Sequence, residues 1–302
     1  MKGVSVALFA CMFLALEAVF SKVLLLELTP LALAALISVS AAIILFFILE
    51  GEKKMGEIWK LKRSQFVALL AIGIISGVMA QLLYVTGLRD TTATNAVLLT
   101  RLNSMLIAVL GILLIKERPT WNHGVGAALM VIGVLMIATK SFSQELAMMR
   151  GDGLLILAAV FWAVANIIMK KYLSDVRPEI IVIGYFGFSG AVLLGICGTQ
   201  IPAMLSASTV ALLTGQVILV GVIGRYLWYY SLEHTTACNV GLASLSMPLF
   251  GVVYAVILLG ERLMPYQAVG GFLIIAGLAA IEYHEVCHSD AEHRLKRHHP
   301  HH

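Results

Sequence analysis

The chain is 302 residues long, 60% hydrophobic and only 13% charged, with a formal net charge of +4. A soluble domain carries roughly a quarter charged residues, so this balance excludes one and leaves a membrane protein. The positive excess is scattered over separate loops without an aromatic-interleaved basic patch, which argues against nucleic acid as a partner.

In chain order, apolar stretches long enough to cross a hydrocarbon layer of roughly 30 Å recur along the sequence. They predict ten helices, at about 4–26, 30–49, 66–88, 93–115, 120–139, 153–173, 179–198, 210–232, 237–259 and 265–283. Helices are required because lipid offers backbone groups no partner, and a closed barrel would show alternation instead. The first stretch opens like a signal peptide at Met1-Lys2. Glu17 interrupts its apolar run and no small-x-small cleavage site follows, so it reads as a spanning helix. The fold class is therefore all-α integral membrane.

These helices fall into two copies of one unit. Leu88, Thr91, Thr92, Asn95, Glu117, Gly126 and Gly133 recur as Leu232, Thr235, Thr236, Asn239, Glu261, Gly270 and Gly277, at a constant offset of 144 residues. The first helix of each copy matches at an offset near 149, so Phe13, Glu17 and Lys22 correspond to Trp162, Asn166 and Lys171. Residues 1–140 form the first five-helix repeat, 151–283 the second, and 284–302 a His-rich tail. An odd number of crossings per unit turns the second copy upside down relative to the first. Inverted repeats around a central cavity are the architecture of secondary transporters, in which one site is exposed alternately to the two sides.

Orientation follows from where Lys and Arg fall. With the N-terminus in the cytoplasm, fourteen of the 21 lie on that side, five lie outside, and Arg101 and Arg225 remain within the membrane. Ten crossings return the C-terminus to the cytoplasm, as expected for the cell inner membrane. Cys11, Cys197, Cys238 and Cys287 show no paired spacing, so neither a disulfide nor a metal cluster is expected. The tail holds seven of the nine histidines but no carboxylate or cysteine spacing of a defined site, and reads as a disordered polar segment.

Polar residues inside the spans are the candidate site. Phe13 with Glu17, and Trp162 with Asn166, are i, i+4 pairs that put a ring and a polar group on one helix face. Gln81 and Tyr84 in the third helix match Arg225 and Trp228 in the eighth, and Tyr229 follows. Asn166 and Gln81 either line a cavity or bond a neighbouring helix, whereas Lys22, Lys170 and Lys171 lie near helix ends and can snorkel. Tyr185, Phe186 and Tyr254 read as packing or interface anchors. Glu17, Arg101 and Arg225 are harder to place in lipid, since each mid-helix charge costs roughly 2.5–3.5 kcal/mol on insertion scales. They are expected to converge on one interior cavity. A structural Arg–Glu pair would leave one arginine over, and that surplus argues for an anionic substrate group. Pro248 lies inside the ninth helix, opposite Ser104 in the other repeat, and is a hinge candidate. No phosphate loop, nucleophile elbow or zinc-protease motif is present, so no enzyme activity and no cofactor is expected.

Several of these stretches together resemble the drug/metabolite transporter superfamily, in its EamA-type branch. They are Leu232-x-x-Thr235-Thr236-Ala237, Ser244-Leu245-Ser246-Met247-Pro248, Leu259-Gly260-Glu261-Arg262 and the Trp162-x-x-x-Asn166 pattern, over about residues 4–283. The resemblance implies a basket of ten helices with alternating access, in which helices 1–4 and 6–9 line the cavity while 5 and 10 brace it. Members of that family move amino acids, other metabolites, nucleotide sugars or drugs. This sequence departs from the pattern at Glu17 and at Arg101-Leu102-Asn103-Ser104, which favours a polar, charged metabolite over an apolar drug.

The resulting expectation is a carrier for an amino acid or related carboxylate, with export slightly favoured. Arg101 and Arg225 would hold the carboxylate, and Glu17 would either meet an amino group or carry a coupling proton. Phe13, Tyr84, Trp162, Trp228 and Tyr229 would supply the walls. The rival readings are a flippase for a lipid-linked anionic headgroup and a membrane protein without transport activity. Expected partners are the small metabolite, the lipid bilayer and protons, in a monomer or a homodimer.

Overall fold

A computed structural model describes residues 2–51, 56, 61–110, 113, 121–139, 150–201, 205–234 and 243–280. Among these residues, every predicted span has a helix, here α1 to α10 in chain order. Four are continuous over their described length or nearly so: α2 (Pro30–Gly51), α5 (Trp121–Ala138), α6 (Arg150–Tyr172) and α7 (Pro178–Cys197). The helices α9 (Ser246–Leu259) and α10 (Pro265–Ala280) are shorter. Among the described residues, six helices are long and apolar enough to cross a membrane, and three more are shorter and apolar.

The remaining four spans are irregular, and the irregularities fall where the charges are. In α1, Lys2–Leu14 and Glu17–Leu24 are separated by a tight turn in which the Leu16 N–H donates to Phe13, not to Met12. Glu17 is the first residue beyond it. In α4, Ala93–Leu99 and Leu102–Leu110 meet at Arg101. There the Arg101, Asn103 and Ser104 N–H groups all reach back three residues, and the Thr100 hydroxyl takes the Ala96 carbonyl at 2.7 Å. Such back-bonding competes with the helical ladder. Both α3 (Arg63–Arg89) and α8 (207–234) are wound as π-helix in their middles, over Gly73–Ala80 and Gln216–Gly224. Each reverts to α-helix at the repeat-matched residue, Gln81 in α3 (through Arg89) and Arg225 in α8 (through His234). A π segment widens the turn and re-aims whatever follows it, a device often found at functional sites.

Helix pairing carries the signature of two related halves. The equivalent helices α2 and α7 pack on each other, as do α4 and α9. The α1–α8 contact is matched by α3–α6, its image when the halves are exchanged. The helices α5 and α10 meet through the duplicated glycines. A Cβ added to Gly133 would lie 2.5 Å from the Gly270 carbonyl oxygen, and one on Gly277 would lie 2.5 Å from that of Gly126. Only hydrogen fits between backbones this close. The chain is thus two five-helix repeats in inverted arrangement.

One end of the bundle is laced together by buried and half-buried polar groups. The Lys22 ammonium donates to the carbonyls of Leu88 (2.6 Å), Arg89 (3.2 Å) and Thr91 (2.5 Å), and so caps the C-terminus of α3. Snorkelling therefore does not account for Lys22. At the start of α4, the Ala93 and Thr94 N–H groups and the Thr94 hydroxyl donate to the Glu261 carboxylate at 2.6, 3.0 and 2.8 Å. Asp152, at the start of α6, accepts from Thr91 (2.6 Å) and Asn95 (3.1 Å), and Gln267 of α10 donates to Asn95 at 2.7 Å. The duplicated Thr-Thr-x-x-Asn motif and its glutamate build this seal. Their counterparts Glu117, Arg118, Pro119, Thr235, Thr236 and Asn239 lie outside the described residues, as do Cys238, Cys287 and the 284–302 tail.

Candidate functional site

Where the interrupted helices meet, three cavities open around Glu17. The largest, about 300 Å³, is bordered by Glu17, Ser76, Gln81, Trp162, Asn166, Tyr185 and Arg225, and reaches along Ile181 and Met169. A second, about 220 Å³, is bordered by Glu17, Tyr84, Thr100, Arg101, Asn103, Ser104 and Trp162. A third, of about 30 Å³, continues past Glu17 and Arg225 toward Gln216 and Ser38. The expected single cavity is therefore divided. Glu17 and Trp162 border both larger compartments, and each compartment holds one arginine.

Local structure explains this placement. The turn at Leu16 and the two π segments redirect Glu17, Gln81 and Arg225, while the break at Arg101 lifts that residue off the regular face of α4. Arg225 lies over the Phe186 ring with Cζ 4.8 Å from its centroid, so an aromatic face supports the guanidinium. The Glu17 carboxylate is within electrostatic reach of both Arg225 and Arg101. Tyr84 and Trp162 pack with ring centroids 5.4 Å apart and form the wall beside Glu17. Asn166 donates to the Trp162 carbonyl at 2.8 Å, a bond along its own helix that holds it on the cavity side.

Seven of the ten candidate residues border these spaces: Glu17, Gln81, Tyr84, Arg101, Trp162, Asn166 and Arg225. Phe13 borders none of the three. Trp228 packs instead against Ala7 and Ala243, between α1 and the start of α9, because the π segment of α8 turns its ring away from the centre. The Tyr229 side chain lies outside the described residues. Tyr185, read as an anchor, in fact lines the largest cavity, and Phe186 backs Arg225. Asn103 and Ser76 went unnoticed as lining residues. For Asn103 a signal existed, since it lies two residues after a mid-membrane arginine. Pro248 is buried at the third position of α9, just beyond a break at Leu245. Among the described residues no group of His, Cys, Asp and Glu could hold a metal ion.

The model of the EamA-like transporter family matches residues 1–139 and 149–283 of the chain. An uncharacterized transporter of Methanothermobacter thermautotrophicus is 29% identical over 288 residues, covering 89% of this chain and 82% of the relative. An uncharacterized transporter of Archaeoglobus fulgidus is 30% identical over 219 residues, with 69% and 74% covered. A probable amino-acid metabolite efflux pump of Salmonella typhimurium is 31% identical over 180 residues, with 56% of this chain and 60% of the relative covered. One solved crystal structure superposes with a TM-score of 0.63 at 19% identity, over 93% of this chain and 96% of that one. That likeness shows the same fold.

Proposed function

The chain belongs to the EamA-like transporter family, and from that premise we propose that it carries a small metabolite bearing a carboxylate, an amino acid or a close relative, by alternating access. It is a multi-pass membrane protein of a transporter family, not of an enzyme family. The observation that carries the proposal is the pair of adjoining cavities, each with one arginine, that share Glu17, the one carboxylate lining them among the described residues. Cavities of about 300 and 220 Å³ stand at or below the lower end of ligand pockets, roughly 300–1,000 Å³, so the substrate is small. An arginine binds a carboxylate by paired charge-assisted bonds. The efflux-pump name of the Salmonella relative supports export from the cytoplasm across the inner membrane.

Purified protein in sealed vesicles, screened with labelled amino acids and organic acids, tests this directly. Uptake above that of empty vesicles is expected for a carboxylate-bearing solute, with Arg225→Gln lowering it by about tenfold, the loss of a charged hydrogen bond. Movement only of a lipid-linked headgroup between leaflets, or of nothing, overturns the proposal.

Glu17 is the coupling residue in this reading, because its counterpart Asn166 cannot titrate and the scaffold therefore carries a proton site on one side only. An imposed pH gradient should drive accumulation, and Glu17→Gln should abolish accumulation while counterflow exchange persists. Unchanged accumulation in Glu17→Gln would remove the proton role.

A further inference from the structure

We infer that the carried solute has an unsubstituted ammonium group, which Gln216 and Ser38 hold beside Glu17 in the small cavity behind Arg225. The inference rests on the carrier reading above and narrows it to α-amino acids with a free amino group. It starts from Gln216, which opens the π segment of α8 and is only 3% exposed. Its Nε2 donates to the Ser21 hydroxyl at 2.8 Å, and that bond fixes which end of the amide is left over. The Oε1 is buried and has no hydrogen-bond partner among the described residues. A buried amide oxygen without a donor is costly, and few are left open in folded proteins. The repeat does not demand it, for at the offset of 144 residues Gln216 stands where the first copy has Ile72.

The space in front of that oxygen limits what can fill it. Gln216, Ser38 and Glu17 border the cavity of about 30 Å³, whose other walls include Ile37, Phe186 and Val217. A space of roughly 10–15 Å³ already admits a water, so this one takes a group of one or two heavy atoms and not a side chain. An oxygen without a donor asks for an N–H or O–H. The Glu17 carboxylate, bordering the same space, favours a cationic donor over a neutral one. An ammonium fits both demands, being small, positively charged and all donor. Arg225 borders this cavity and the one of about 300 Å³. A carboxylate on its guanidinium therefore leaves an α-ammonium at the mouth of the smaller cavity and the side chain in the larger. Glu17→Gln keeps an oxygen for the ammonium, so exchange survives that substitution although the proton site is lost.

Counterflow with the reconstituted full chain tests this on labelled alanine, serine, leucine and glutamate, each beside its 2-hydroxy acid and its N-methyl derivative. The hydroxy acid keeps the carboxylate and loses the positive charge; the N-methyl derivative keeps the charge and outgrows the cavity. Any further amino acid that exchanges is tested with the same two counterparts. For every amino acid that exchanges, both counterparts are expected to be at least about tenfold slower at subsaturating concentration, the loss of one charged hydrogen bond. Gln216→Leu removes the oxygen at similar volume and is expected to lower the amino-to-hydroxy ratio about tenfold, whereas Gln216→Glu, which keeps an oxygen there, retains the ratio. A glutamine that only supports the fold would change all rates alike and leave the ratio where it was. The wild-type ratios decide the matter even if a variant fails to fold. A hydroxy acid or N-methyl derivative exchanging as fast as its amino acid, exchange confined to organic acids, or a ratio unmoved by Gln216→Leu overturns this inference and leaves the carrier reading standing. Exchange of no amino acid and no organic acid overturns both.

Discussion

Glu27 shows how a single exposed carboxylate can be tied to the fold. It lies just beyond α1 and accepts hydrogen bonds from the hydroxyls of Thr209 and Ser206, at the start of α8. Those bonds, Thr209's first, hold its carboxyl below the ordinary carboxylate range. A group whose folded pKa is depressed stabilises the fold above its unfolded value, about 4.3 for glutamate, and that contribution disappears as pH falls through the folded value. Thermal stability in detergent should therefore fall on acidification below about pH 4.3, and Glu27→Gln should flatten that acid limb while leaving the neutral plateau slightly lower. Superimposable acid limbs for the two proteins would show that the tie contributes nothing. At this scale the sequence spoke clearly where a residue violated its surroundings. Glu17, Arg101 and Arg225 stood out because charge inside an apolar run is costly, and the structure brings all three to adjoining cavities. Tyr185 and Lys22 were silent, because a tyrosine in lipid and a lysine near a helix end both have an ordinary explanation.

Among the helices, the breaks in α4 and α9 fall at matched positions, Arg101 and Leu245, by two different means. In α9, Pro248 lacks the N–H that would bond Ser244 and its ring crowds that carbonyl, so the ladder fails at Leu245. In α4, Ser104 stands in the place of the proline, and the Thr100 hydroxyl disrupts the ladder instead. The proline made one break legible in sequence; the threonine, common inside regular helices, hid the other. The π segments were equally hidden, since an extra residue per turn leaves the run of apolar residues unchanged. The glycines of α5 and α10 stood out in the sequence by their duplication, which permits a close approach without naming the partner, and the structure shows that the two helices meet each other there. That contact is testable by a contrast within a single residue type. A Cβ at Gly277 meets the Gly126 carbonyl at 2.5 Å and Met130 Cγ at 2.6 Å, whereas one at Gly124 meets nothing within 4 Å. Gly277→Ala should destabilise the protein by about 1–3 kcal/mol through overpacking. Gly124→Ala should gain up to about 1 kcal/mol from helix propensity. Equal melting temperatures in detergent would mean that α5 and α10 are not held at this distance.

Across the whole molecule, the polar seal and the cavities lie at different depths, and together they define a conformation. The seal of Lys22, Asp152, Glu261 and Gln267 closes the end where α3 gives way to α4. The cavity of Glu17 and Arg225 runs the other way, along Ile181 and Met169 toward the ends of α6 and α7 beside Lys171 and Arg177. The excess of lysine and arginine in the sequence at the Lys171 end predicts that this end, and with it both chain termini, faces the cytoplasm. The two statements join in one prediction about access. A cysteine placed at Ser76, in the cavity of Glu17 and Arg225, should react with a membrane-impermeant thiol reagent from the cytoplasmic face of inverted vesicles and resist it in intact cells. Lys22→Met combined with Glu261→Ala removes six of the hydrogen bonds that close the far end, so reaction from outside should rise, and reaction from the cytoplasmic face should fall as the population shifts. Cys287 supplies the orientation in the same experiment, for it should be labelled in inverted vesicles and protected in intact cells. Labelling of Cys287 from outside would reverse the orientation while leaving the sealed and open ends as they are. Labelling of the Ser76 cysteine equally from both faces in the wild-type background would show instead that the Lys22 and Glu261 contacts do not close the pathway.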